Sequence, residues 1–371
     1  MRVRTRGGVT HESLLRRQPS PIVDRADDDF AVLVYTSGTA GSPKAAQLTH
    51  GNLRTNIAQV LSTPGNEQTH TDVTFTVLPL FHIFGLNAVM GVALAAGGAM
   101  LVVERFDPMS AVDSIRKHGA TILPGAPTVW AAFAAMDDLD PDSFSTIKVA
   151  ISGAARLPEE VSRTMETRFG LRVHEGYGLT EASPVVATTI GTDAPVGSVG
   201  RPVPGLEVRL VDERGEDVLV GDAGELWVRG PNVFAGYLDD AEATDRVVTA
   251  DGWLMTGDVA TVDDDGYLFL VDRLKDLIIV SGFNVYPAEV EEVLMQHPGI
   301  DACAVVGVPH PYSGEAVKAY VVAVPGRSVE EDEIVEFCAR RLARYKCPDK
   351  VWFVDEVPHG MGGKVLRRAL R

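Results

Sequence analysis

KVAISGAARLPEEVSRTMETRFG, Lys148 to Gly170, is the stretch on which the fold turns. A short apolar run, KVAISG, ends in glycine, and a charged, helix-forming run, PEEVSRTMETRFG, follows it. The same strand–loop–helix unit repeats upstream. DVTFTVLPL (72–80), MLVVERF (100–106) and TILPG (121–125) read as strands, separated by an apolar helix, by PMSAVDSIRKHG (108–119) and by a helix from Pro127. Further back, FAVLVYTSG (30–38) reads as a buried strand feeding a loop. In THGNLRTNIAQVL (49–61), Thr49 is placed as a helix cap, with Leu53, Ile57 and Val60 forming the apolar stripe. Strands alternating with helices of this kind predict parallel βαβ units with helices on both faces. Ligands bind such sheets at the carboxyl ends of the strands, where the Gly- and hydroxyl-rich loops of this chain fall.

After Val196 the pattern changes to short strands and turns, SVGRPVPGLEVRLVDERGE and GELWVRG, which predicts a β-rich subdomain. Beyond VDRLKD comes another unit: strand LIIVSG, helix AEVEEVLMQH with Val290, Val293 and Leu294 on one face, strands ACAVVGV and AVKAYVVAV, helix EEDEIVEFCARRLA and strand VWFVDEV. The expected architecture is α/β: a large multi-layer αβ domain with parallel sheets and a β-rich subdomain, plus a small α+β C-terminal domain. The boundaries are a loose arm over 1–24, the large domain over 25–272 and the small domain over 273–371.

The formal charge of −17 opposes non-specific binding to nucleic acid or to an anionic membrane surface. Small anions remain acceptable at locally positive sites. Basic residues cluster at both ends, Arg2, Arg4, Arg6, Arg16 and Arg17, then Lys364, Arg367, Arg368 and Arg371, and both clusters read as solvated termini. The Arg-rich start lacks the apolar core of a secretory signal. Cys303, Cys338 and Cys347 are too few and too far apart for a disulfide framework or a zinc site, which fits a reducing, cytoplasmic setting. The uncharged segment Ile83–Val103 is long enough to span a bilayer, but Gly97-Gly98 divides it into a helix of about a dozen residues and a short strand. No integral membrane span is expected.

YTSGTAGSPK, Tyr35 to Lys44, carries the chemistry. It lacks the lysine directly after the second glycine that the loop of P-loop ATPases requires. Glycines nevertheless let backbone N–H groups turn toward an anion, hydroxyls donate to phosphate oxygens and lysine supplies charge. Taken alone, a plain loop is the competing reading. LPLFHIFG, EGYGLTEASP, GELWVRG, GWLMTGD, DRLKDLIIVSGFNVYPAEVEEVL and GGKVLRR follow it in order. Together these motifs resemble the adenylate-forming superfamily of acyl-CoA synthetases, peptide-synthetase adenylation domains and luciferases, over Phe30 to Arg371.

The resemblance implies a reaction in two steps. A carboxylate attacks the α-phosphate of ATP, releasing pyrophosphate, and a thiol, usually that of coenzyme A, then displaces AMP. By motif, Thr36, Ser37, Gly38, Thr39, Gly41 and Lys44 would hold the β- and γ-phosphates. Tyr177 and Gly178 would border the adenine with Gly153 and Ala154, Thr180 would contact the α-phosphate, and Glu181 would ligate Mg2+. Asp258 would accept from the ribose hydroxyls with help from Arg273. His82 matches a residue at the mouth of the acyl pocket, with a core histidine as the plainer reading. Lys364 matches the lysine that reaches the carboxylate and α-phosphate. Lys275 matches the hinge about which the small domain is thought to rotate, bringing the loop at Gly282 to line the thiol channel.

SGFNVYPAEVE looks like the form found in fatty acyl-CoA synthetases, and LPLFHIFGLNAVMG and ISGAARLP carry no charge apart from Arg156, which suits an apolar acid. An acyl carrier protein is the alternative acceptor. Two positions depart from the family pattern, Ala40 for threonine and Ala45 for glycine. Relatives also carry well over a hundred residues before the phosphate loop, so the expected scaffold lacks its front part, with an inactive or merely nucleotide-binding remnant as the competing expectation.

Overall fold

The computed structural model describes residues 16, 18, 21–36, 43–358 and 365–370. The opening stretch folds as its pattern dictates. Val149–Ser152 is a strand and Glu159–Phe169 a helix, with Glu159 and Glu160 in its first turn, Arg168 in its last, and Gly170 closing it at φ +62°. Acids at the amino end and a base at the carboxyl end complement the helix dipole. The left-handed closing residue is a position that glycine fills without strain.

That strand sits in a seven-stranded sheet ordered Ala99–Val102, Val73–Thr76, Ile122–Gly125, Val149–Ser152, Val173–Gly178, Val185–Thr188 and Arg201–Pro202. The first five run parallel and the last two join antiparallel. Alternation along the strands splits the sheet into two faces. Phe75, Leu123 and Ala150 pack with Ile115, Trp130, Phe133 and Met165 of the helices Pro108–His118, Pro127–Ala134 and Glu159–Phe169. Ile122, Val149 and Ile151 point the other way with Ile190, and Thr74, Ile122, Ile151 and Ile190 line a large cleft.

The segment from Ile83 is a π-helical stretch, Phe84–Gly91, running into the helix Val92–Ala95, and the strand Ala99–Val102 follows the Gly97-Gly98 turn. Among the described residues, no helix is long and apolar enough to cross a membrane.

Two expectations at the front are corrected. Phe30–Thr36 is not a buried strand of the parallel sheet. It forms an antiparallel pair with Lys44–Thr49, and with Gly236–Tyr237 the two make a separate three-stranded sheet. Phe30 and Tyr35 are exposed, because only one face of this hairpin meets the core through Val34, Ala46 and Leu48. Thr49 does cap the helix His50–Leu61, accepting from the Asn52 N–H while Asn52 Oδ1 accepts from the Thr49 N–H. The side chains that this helix buries most fully, however, are Asn52, Asn56 and Gln59, while Leu53, Ile57 and Val60 are half-buried, Leu53 against the core and Val60 on the cleft. The inward face is polar because it meets loop backbone that needs hydrogen-bond partners.

The β-rich expectation after Val196 corresponds to a four-stranded antiparallel sheet ordered Glu207–Val211, Gly224–Arg229, Leu254–Val262 and Leu268–Arg273. The last unit is a five-stranded sheet, Phe283–Val285, Ile278–Val280, Gly314–Ala323 and Ile300–His310, with Lys350–Phe353 added parallel to Gly314–Ala323. The helices Pro287–Met295 and Glu331–Ala339 cover it through Val290, Leu294, Ile334 and Cys338.

Candidate active site

A cleft of about 840 Å³ opens at the carboxyl ends of the parallel strands. Its walls bring together Thr36, Lys44, His82, Gly153, Ala154, Tyr177, Gly178, Thr180, Glu181, Asp258, Arg273 and Lys275 from across the sequence. Thr36 and Lys44 are directly paired in the front hairpin, so both ends of the glycine-rich loop meet at the cleft. Ser37, Gly38, Thr39 and Gly41 lie outside the described residues, as does Lys364. Leu366, two positions after Lys364, lines the cleft. Gly282 is not among the lining residues; it sits at φ +83° in the turn between Ile278–Val280 and Phe283–Val285.

The strand Val173–Gly178 places Tyr177 in the core, where its hydroxyl donates to Asp258 Oδ2 at 2.6 Å. Burial, then the adjoining carboxylate, push the phenol well above its ordinary pKa, so it stays a donor. Asp258 faces Arg273 across the strand pair, with Nε 3.1 Å from Oδ1. A carboxylate held from both sides in this way keeps lone pairs for further donors.

The loop after Gly178 is held with little slack. A Cβ on Gly178 would stand 2.2 Å from the Pro184 carbonyl oxygen, so only glycine fits. Asn56 takes the Val185 N–H and donates to the Val185 carbonyl. Asn87 donates to the carbonyls of Leu53 and Ser183, and Asn232 to that of Ala182. This lattice of buried carboxamides was not anticipated from sequence, where polar residues in a helix read as its wet face.

Glu181 stands on the short turn Thr180–Ala182. Its Oε1 accepts from the Tyr237 hydroxyl at 2.8 Å, and the Lys44 ammonium lies 4.9 Å from the Tyr237 ring centroid. Tyr237 thus ties the loop lysine to the carboxylate, and burial and the Glu181 charge raise its pKa. Its strand is only two residues long, too short to leave a sequence signal.

Gly153 follows its strand where a Cβ would meet the Phe84 ring at 3.0 Å, and Ala154 takes a left-handed φ of +74°. Non-glycine residues rarely sit there. The Glu175 carboxyl accepts from the Leu157 N–H and props this loop, its pKa raised by burial. Arg156 turns to Glu292 of the small unit at 3.1 Å instead of lining the cleft. His82 is exposed on the wall, its Nδ1 accepting from the Phe84 N–H, which excludes the core-histidine reading.

A parallel-sheet unit, a β-rich unit and a small α+β unit around one cleft make the architecture of adenylate-forming enzymes. Family models agree: that for the AMP-binding enzyme matches residues 4–238, and that for the AMP-binding enzyme C-terminal domain matches residues 289–364. The chain belongs to the AMP-binding enzyme family. It is 40% identical to a long-chain-fatty-acid–CoA ligase of Bacillus subtilis, a match taking in 93% of this chain and 62% of that protein. It is 38% identical to 4-coumarate–CoA ligase 2 of Nicotiana tabacum, over 98% of this chain and 69% of the relative. The chain therefore spans about three-fifths of the length of the bacterial ligase. Among solved structures, ATP-bound MatB from Rhodopseudomonas palustris superposes with a TM-score of 0.89 at 37% identity, covering 94% of this chain and 69% of that one. Apo MatB gives 0.73 at nearly the same identity and coverage. The o-succinylbenzoate coenzyme A synthetase of Bacillus subtilis with ATP and magnesium gives 0.86 at 31% identity, over 97% and 74% of the two chains.

Proposed function

We propose that this chain activates an apolar carboxylic acid with ATP, giving an acyl-adenylate and pyrophosphate, and transfers the acyl group to coenzyme A. The observation that carries the reading is the meeting of four chemistries in one cleft: the Thr36–Lys44 loop ends, Glu181, the Tyr177–Asp258–Arg273 chain and an apolar wall of Phe84, Val89, Ile122 and Ile151. Thr36 and Lys44 would clamp the outer phosphates. Asp258 would take the ribose hydroxyls while Tyr177 bounds the base. Gly153 and Ala154 leave room where purine and acyl chain meet.

Glu181 fits a Mg2+ site. It offers a hard carboxylate oxygen beside the loop lysine, and Tyr237 already fixes the other oxygen. A bound magnesium would neutralise phosphate charge there. Thr180 would orient the α-phosphate for in-line attack, and Lys364 would bring the incoming carboxylate and the α-phosphate together against their mutual repulsion. The work is positioning and charge, with no protein nucleophile.

The acid is a fatty acid on this reading, supported by the uncharged acyl wall and by the bacterial long-chain ligase; the coumarate ligase makes aryl-propenoic acids the necessary comparison. The test is acid-dependent ATP–pyrophosphate exchange over a panel of fatty and aryl acids. Exchange strongest with fatty acids is expected, and a well-folded chain that exchanges with no acid overturns the reading. Lys364→Ala should lower exchange on the order of 10²–10³-fold while thioester formation from supplied acyl-adenylate persists.

A further inference from the structure

The basic residues at the chain's end do not share one environment. Arg367 follows Lys364 by three positions, yet its side chain is only 15% exposed. Its guanidinium meets Glu291 through two bonds, Nη2 at 2.7 Å and Nε at 3.3 Å. Nη1 stands 3.5 Å from Asp276 and 4.0 Å from Asp272. The expectation of a solvated terminus therefore fails for Arg367, because three shielded carboxylates converge on it and a planar fork answers them.

The three partners come from different places. Glu291 lies on the helix Pro287–Met295 of the small unit, and Asp276 on the turn Leu274–Asp276 beside Lys275. Asp272 lies on Leu268–Arg273, the last strand of the β-rich sheet, and it also accepts from the Ala288 N–H at the start of the small unit's helix at 2.8 Å. Around Arg367, the Leu366 N–H donates to the Pro358 carbonyl and Tyr320 donates to the Leu370 carbonyl at 2.6 Å. Leu366 itself borders the cleft.

We propose that Arg367 is a positioning residue for Lys364. It pins the chain just beyond Lys364 both to the small unit, through Glu291, and to the junction, through Asp272 and Asp276. The Glu291 bonds lie within the small unit and travel with it. The Asp272 contacts to Arg367 and Ala288 join the two units and must break when the small unit turns. The clamp therefore selects the arrangement in which the tail borders the cleft, the one that superposes better on the ATP-bound relative than on its apo form. This inference rests on the acid-activation reading.

Two variants of the full chain test it. Asp272→Asn keeps an oxygen for the Ala288 N–H but removes the charge shared between units. Arg367→Met removes the fork but strands Glu291, the shielded carboxylate hydrogen-bonded to it, which destabilises proteins. It is therefore made together with Glu291→Gln, whose amide oxygen can still take the Val305 N–H that Glu291 now accepts. Pyrophosphate exchange should fall on the order of 10²-fold in the double variant and about tenfold in Asp272→Asn, while thioester formation from supplied acyl-adenylate changes less than about threefold in both. Equal loss of both half-reactions at unchanged melting temperature, or loss of neither, overturns the proposal. Hydrogen exchange separates this failure from failure of the acid-activation reading, since it needs no substrate. The amides of Leu366, Ala369 and Leu370 should exchange at least about tenfold faster in the double variant. Unchanged protection there overturns the clamp whether or not the parent chain activates an acid.

Discussion

The strands beginning at Val73, Ile122 and Val149 have ends built on opposite principles. At their amino ends, Asp72 accepts from the Thr121 hydroxyl at 2.8 Å, from the Lys148 ammonium at 2.8 Å and from the Thr69 N–H at 2.8 Å. Every polar group in that knot is answered by another. At their carboxyl ends, the hydroxyls of Thr76 and Ser152 are buried without a partner among the described residues, and Gly153 lets the backbone pass close to the Phe84 ring. One end closes on itself; the other keeps hydrogen-bonding capacity unspent. An unsatisfied buried hydroxyl carries a cost, and Ser152 carries it on the wall of the cleft.

The contrast predicts separable effects. Gly153→Val should be the most damaging to activity, because a side chain there meets Phe84 and fills the cleft. Pyrophosphate exchange should fall on the order of 10²-fold or more, and a variant with parental exchange would remove the carboxyl-end loop from the site. Asp72→Asn should spare exchange and instead lower stability by about 1–3 kcal/mol, read from urea unfolding. Its pH dependence has a definite sign. Burial works against ionisation of Asp72, but the Lys148, Thr69 and Thr121 bonds outweigh it and bring the pKa down from 3.8 to about 2. A depressed carboxyl contributes its full stability above the unfolded value and loses it as pH falls through the folded one. The parent's advantage over Asp72→Asn should therefore hold above about pH 4 and shrink toward pH 2; an advantage that grows on acidification contradicts the knot. Ser152→Ala should have the smallest effect: melting unchanged or raised slightly, within about 1 kcal/mol, and nucleotide or acid KM raised a fewfold. A clear loss of stability would mean that the hydroxyl already has a partner.

The parallel strands and most helices of the chain were legible because short apolar runs alternate with helix-length segments, two of which end at a left-handed glycine. The small unit was readable nearly element by element, except Phe283–Val285, a three-residue strand inside a motif that reads as a loop. The front hairpin was not, since an apolar run followed by glycines looks the same whether its partner lies beside it or across a helix. Asn52, Asn56 and Gln59 were invisible as inward residues because Asn52 and Asn56 answer backbone carbonyls more than a hundred positions away, and Gln59 donates to the Asn232 side chain at a similar remove. Of the candidate site, motif order supplied the residues that the cleft gathers. Tyr237 and Arg367 depend on contacts that only the folded chain creates.

The carboxamide lattice around residues 179–185 has a thermodynamic consequence. Asn56, Asn87 and Asn232 fix that loop's backbone before any nucleotide arrives. Its conformational entropy is then surrendered during folding rather than on association. On the proposed function, nucleotide binding at Tyr177 and Thr180 would resemble docking onto a finished surface, with little ordering entropy lost in this segment. Shortening one of these carboxamides would shift that entropy into the binding step, weakening affinity without removing a single contact to the ligand.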